Sequence, residues 1–161
     1  MFYLDLFAAL HRHQVEYVLI GGLAVALHGV ERNTMDIDVC VVISPDNLQH
    51  LIEAAKELRL CPVLPVPLET LGQIETLRLW HQQRNLQAFA LRTPDMAGVT
   101  LEVLLFPPVP PADMCQRAVR LNVAGTPVHR ASVEDLIALK QSVGRPVDLA
   151  DIEHLKRLQM P

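Results

Sequence analysis

Apolar and polar positions divide this chain into short segments of two periodicities. Tyr3, Leu6, Phe7 and Leu10 recur three and four apart, which predicts an amphipathic helix at the start. Residues 15–20 are almost continuously apolar and β-branched, the pattern of a central strand buried on both faces. Gly21 and Gly22 end that run. Residues 23–28 then suit one to two helical turns, closed by Gly29 as a C′ residue. A polar loop over 31–35 leads into a second strand at 36–43. Ser44 and Pro45 read as the N-cap and first position of a helix, which Leu48, Leu51, Ile52, Ala55 and Leu58 carry to about residue 60.

The second half is more punctuated. Three prolines in CPVLPVP (residues 61–67) exclude a central strand or a helix there. Residues 68–83 are helix-like but weakly amphipathic. Residues 87–91 and 99–106 read as strands joined by the turn-rich RTPDMAG, and PPVPP at 107–111 interrupts the chain again. A helix is expected over 112–120, and a small hairpin pairing 121–123 with 127–129 across Ala-Gly-Thr. Ser132 and Asp135 resemble a capping box opening a helix over 133–143. Gly144-Arg145-Pro146 breaks it, and 147–158 forms the last helix.

Length and composition narrow the class. The chain has 161 residues, half of them hydrophobic and a fifth charged, which fits one globular domain over 1–161. A core over 15–106 and a helical part over 112–161 are expected within it. The net charge is −4 and no dense basic patch is visible, which argues against a binder that relies on neutralising nucleic-acid phosphates. No apolar run approaches the ~20 residues of a membrane span. Asp5 interrupts the first apolar stretch and no basic segment precedes it, so a signal peptide is not expected. Cys40, Cys61 and Cys115 form no CxxC, and the histidines show no zinc spacing. Cys40 reads as a small buried hydrophobe, and a cytoplasmic location is expected.

The chemistry concentrates in YVLIGGLAVALHGVERNTMDIDVCVV, residues 17–42. Asp36 and Asp38 stand two apart on a strand, so they point to one face ~6.5 Å apart along it. Such a pair suits Mg²⁺ or Mn²⁺ that is also held by phosphates; alternatively it is a strand-edge or loop feature. Glu102 is the only charge in an apolar run over 99–106, where it either serves as a third carboxylate or decorates an edge strand. Gly21-Gly22 opens a helix, where backbone amides can meet phosphate, or simply makes a turn. Neither GxxxxGK[ST] nor GxGxxG is present. His28 can touch phosphate or close its helix. Arg32 can meet a triphosphate or face solvent. By pattern alone Lys140 is a polar-face lysine, Asp148 a helix cap and Asp151 a first-turn dipole partner.

GGLAVALHGVERNTMDIDVCV resembles the nucleotidyltransferase superfamily, the fold of DNA polymerase beta. The nearest branch is that of small bacterial nucleotidyltransferases, including abortive-infection toxins of the AbiEii group. The pattern is a glycine turn, a helix carrying His28-Gly29, an R-x-T at Arg32-Asn33-Thr34, and the D-x-D at Asp36-Ile37-Asp38. SVEDLIALKQSVGRPVDLADIEHL (residues 132–155) also resembles the family, placing Lys140, Arg145, Asp148 and Asp151 in matching positions. The resemblance implies an α/β (α+β) nucleotidyltransferase fold, a short mixed sheet flanked by helices with C-terminal helices alongside. It implies a transfer from a nucleoside triphosphate to an acceptor hydroxyl, with Mg²⁺ or Mn²⁺ on Asp36, Asp38 and Glu102. Gly21, Gly22, Arg32, Thr34 and Lys140 would contact the nucleotide. The acceptor would be tRNA, protein or a small molecule, and a cognate antitoxin a partner. Two departures are visible: Gly22 stands where many active members have Ser, and Glu102 where Asp is commoner. A catalytically degenerate nucleotide-binding or partner protein, and an aminoglycoside-type transferase, are the alternative functions.

Overall fold

The computed structural model describes residues 2–29, 36–94 and 99–160. The elements run α1 Phe2–Arg12, β1 Tyr17–Ile20, α2 Gly21–Leu27, β2 Asp36–Val41, α3 Pro45–Glu57 and β3 Cys61–Pro62. A 3₁₀ turn at Leu68–Gly72 precedes α4 Ile74–Arg84, β4 Ala88–Arg92 and β5 Thr100–Leu104. Then come α5 Pro111–Arg117, β6 Val119–Val123, β7 Thr126–Arg130, α6 Val133–Val143 and α7 Pro146–Gln159. The strands form one mixed sheet in the order β3-β4-β5-β2-β1-β7-β6. β2 runs antiparallel to β1 and parallel to β5, and β4 runs antiparallel to β5.

The expected mixed α/β architecture is present, with a wider sheet than the four expected strands. The hairpin turns at Ala124-Gly125, both at positive φ, as a two-residue turn of matching twist requires. It joins the sheet through a parallel contact of β7 with β1, Leu19 opposite Arg130. The proline-rich stretch supplies a two-residue edge strand, a place where proline is tolerated. The single helix expected over 68–83 is interrupted at Gly72-Gln73, and the one expected over 112–120 stops at Arg117 because Val119 enters β6. Ser132 caps α6 by accepting from the Asp135 N–H at 3.1 Å. The Asp135 carboxylate does not complete a capping box. It accepts two hydrogen bonds from Arg117, at 2.8 and 2.9 Å, and ties α6 to α5.

One face of the sheet makes the core. Ile37, Val39, Val41, Phe89, Leu91, Leu101 and Val103 alternate with the other-face residues and are all buried. They cluster with Leu6, Phe7 and Leu10 of α1, Leu48, Leu51 and Ile52 of α3, and Leu77 of α4. β1 is buried throughout, as its unbroken apolar run implied. Cys40 is buried and reduced, and burial pushes its thiol well above the ordinary range. Among the described residues no helix is long and apolar enough to cross a membrane.

Asn47 holds the start of β1 against the end of β2. Its Oδ1 accepts from the Glu16 N–H at 2.7 Å, while Nδ2 donates to the carbonyls of Glu16 and Val42 at 2.9 and 2.8 Å. Asn47 is buried in the first turn of α3, so these bonds also dock that helix on the sheet. Replacing Asn47 by Ala strips partners from three backbone groups and is expected to cost about 1–3 kcal/mol, read as a shift of the urea midpoint. An unchanged midpoint would show that water substitutes for the amide without loss.

Candidate active site

The other face of the sheet carries the polar residues. In the parallel pairing of β2 with β5, Asp38 lies opposite Glu102 and Asp36 opposite Thr100. Residues two apart on one strand, and residues level on neighbouring strands, share a face, so Asp36, Asp38 and Glu102 share this one. The adjacency that Glu102 needs to reach the aspartate pair is therefore present. On the far side of Glu102 stands Ala90, in register on β4.

Asp38 is partly buried and its carboxyl is pushed up to about 7. Burial is the main cause, followed by a side-chain hydrogen bond with Glu102 and the charges of Glu102 and Asp36; Lys140 opposes them. The hydrogen bond to Glu102 favours the protonated form of Asp38. Among the described residues no three His, Cys, Asp or Glu side chains converge on one point where an ion would sit. The donors of Asp36, Asp38 and Glu102 are nonetheless all hard oxygens, the donor type that suits Mg²⁺ or Mn²⁺.

Gly21 has a role that its turn did not reveal. It sits at φ +72°, and a Cβ there would lie 2.3 Å from Asp38 Oδ2 and 2.9 Å from Asp38 Cγ. A side chain at this position would displace the carboxylate, so the absence of one is a condition for the site. Gly22 is buried behind it. His28 closes α2, its Nε2 lying 3.1 Å from the Ala131 carbonyl, and burial lowers its pKa. It serves the helix end rather than the carboxylates. Arg32 and Thr34 lie outside the described residues.

A cavity of about 360 Å³ opens over the pair. Asp38 and Glu102 reach it from the sheet, and Leu104, Phe106, Leu136 and Val143 make apolar walls. Lys140 and Arg145 line it too. Lys140 is buried, with Nζ 2.9 Å from Asp151 Oδ2 and 3.5 Å from Asp148 Oδ1. Asp148 caps α7 as expected, accepting from the Arg145 N–H at 3.1 Å, and it also binds the Arg145 guanidinium. Burial alone would push the Asp148 carboxyl up, but the Arg145 bonds and charge, with Lys140, hold it below the usual range. Asp151 is a buried partner of Lys140, more than a dipole partner at an exposed helix end. It stands eleven residues beyond Lys140, across the Gly144-Arg145-Pro146 break.

The mixed sheet, its carboxylates and the helices over one face make a nucleotidyltransferase-like fold. The chain belongs to the family described as "Nucleotidyltransferase of unknown function (DUF6036)", whose profile matches residues 1–159. No curated protein matches it in sequence. Among solved structures it is similar to the solution structure of the antibiotic-resistance factor ANT(2'')-Ia, with a TM-score of 0.57 at 16% identity over 96% of this chain and 78% of that one. An antigenic nucleotidyltransferase-like protein from Paracoccidioides brasiliensis gives 0.54 at 21%, over 96% and 76%. The crystal structure of ANT(2")-Ia with adenylyl-2"-tobramycin gives 0.51 at 14%, over 96% and 90%. At these identities the likeness establishes the fold.

The raised Asp38 carboxyl has a consequence for stability. Between about pH 4 and pH 7 the folded protein holds a proton that the unfolded chain gives up, so stability falls as pH rises through this window and levels off above it. Asp38→Asn removes the titration while keeping a hydrogen-bond donor for Glu102. The variant is expected to melt higher than wild type at pH 8, with the difference closing towards pH 5. A variant that melts lower than wild type at pH 8 would contradict the raised Asp38 carboxyl.

Proposed function

We propose that the protein transfers a nucleoside monophosphate from a nucleoside triphosphate to an acceptor hydroxyl. The observation that carries this reading is the register of β2 and β5, which sets Glu102 opposite Asp38 beneath an open cavity. Asp36 and Asp38 would hold a Mg²⁺ or Mn²⁺ ion bound to the triphosphate, and Glu102 would complete a second site with Asp38. Ions so placed supply charge neutralisation for the attacking and leaving oxygens of an in-line displacement.

The chain's own residues do the rest. Glu102 accepts the proton of the acceptor hydroxyl as its oxygen forms a bond to the α-phosphorus. The bond from that phosphorus to the bridging oxygen breaks, and pyrophosphate departs with the electron pair. Gly21 borders Asp38 without a side chain in the way, and the phosphates would lie along the Gly21-Gly22 turn. The family resemblance adds Lys140, and Arg32 and Thr34 from the segment outside the described residues, as nucleotide contacts. Most of the rate enhancement comes from positioning and charge.

The structural neighbours favour one class of acceptor. ANT(2")-Ia was solved with adenylyl-2"-tobramycin. A small hydroxyl-bearing amine would suit a cavity whose titratable lining includes Asp38, Glu102 and Asp148 against Lys140 and Arg145. tRNA and protein acceptors, and a cognate antitoxin, are carried by the resemblance alone.

The test is transfer of label from α-³²P nucleoside triphosphates to tobramycin-like aminoglycosides, tRNA and protein in the presence of Mg²⁺. Wild type is expected to label one of these classes, and Asp38→Asn and Glu102→Gln to lower the rate at least roughly a hundredfold. Transfer that survives both substitutions would place the chemistry elsewhere.

A further inference from the structure

Two cations on the cavity wall stand in different states, although the sequence pattern presents them together. The Lys140 side chain is 9% exposed and lies between Asp148 and Asp151, whose side chains are 3% and 4% exposed. Drawing it away would take from the buried Asp151 the cation 2.9 Å away and from Asp148 one of its two, which is unfavourable. The Arg145 side chain is 66% exposed. It bonds Asp148 through Nε at 2.8 Å and Nη2 at 3.3 Å, and Nη1 makes no hydrogen bond among the described residues. Asp148 keeps other partners when that guanidinium turns away, because it also accepts the Arg145 N–H and faces Lys140 at 3.5 Å. Arg145 can exchange one anion for another; Lys140 is committed.

We propose that Arg145 is the residue that grips the nucleotide phosphates, and that Lys140 is the buried pin fixing the α6–α7 junction that carries it. This rests on the nucleotidyl-transfer reading, and it moves to Arg145 the phosphate contact that family resemblance places on Lys140. Arg145 and the Asp38–Glu102 pair line the same cavity, so phosphates engaged at the carboxylates lie within the space the guanidinium borders. A guanidinium matches phosphate oxygens two at a time, which an ammonium does not. The charge of Asp38 reinforces the protonated state of Arg145, after the larger effect of Asp148. A polyphosphate outweighs a single carboxylate that keeps two other partners.

Calorimetric titration of the whole protein with Mg²⁺-pyrophosphate and with Mg²⁺-ATP tests this. Arg145→Gln is expected to weaken both by about tenfold or more, with a smaller fall in melting temperature than Lys140→Met gives. Arg145→Lys should recover part of the loss, and it also keeps a cation beside Asp148 should the glutamine variant unfold. Lys140→Met should lower the melting temperature. If wild type binds both ligands and neither Arg145 variant binds them more weakly, the assignment to Arg145 is overturned while the transferase reading stands. If wild type binds neither ligand, the transferase reading falls and the assignment with it.

Discussion

Two carboxyl groups level with each other on adjacent parallel strands set the terms for much of this structure. Asp38 and Glu102 are brought together by backbone register, not by any attraction of their own. Burial first, and then the hydrogen bond and charge of Glu102, push the Asp38 carboxyl up to about 7. The surroundings accommodate the strain. Gly21 leaves room for the Asp38 carboxylate, and Lys140 supplies a positive charge from across the cavity. The fold tolerates an unfavourable pair because the reverse face of the same strands is a fully apolar core. On the proposed transferase reading, such a site would gain from bound cations and phosphates.

The alternation of β2, β4 and β5 separates these duties. Residues such as Ile37, Val39, Phe89 and Leu101 secure the sheet, while Asp36, Asp38 and Glu102 face away from that core. A shift of one residue in the β2–β5 pairing would send the carboxylates into the core and the apolar side chains into the cavity. Bonds such as those of Asn47, which ties α3 to the start of β1 and the end of β2, therefore support chemistry they never touch.

Much of this was legible in the sequence because the signals were local. The two-residue spacing of Asp36 and Asp38 fixed their common face, and the isolation of Glu102 in an apolar run marked it before any pairing was known. Helix ends at Ser44, Ser132 and Gly144 were equally plain, since caps are read from a few neighbouring residues. What stayed hidden depends on contacts distant along the chain. That Gly21 makes way for the Asp38 side chain cannot be seen from a glycine turn. Lys140 looked like a solvated polar-face residue because the buried carboxylates that hold it lie on the next helix. The hairpin of β6 and β7 read as a separate small unit, since its parallel contact with β1 spans more than a hundred residues.

The most direct test is an NMR titration of the Asp38 carboxyl carbon, followed with pH in the free protein and again with saturating Mg²⁺ and pyrophosphate. The account predicts a midpoint near neutrality without the additions and a marked fall, to the usual carboxylate range or below, with them. A midpoint near pH 4 under both conditions would contradict both the raised Asp38 carboxyl and the assignment of this pair as the reaction centre.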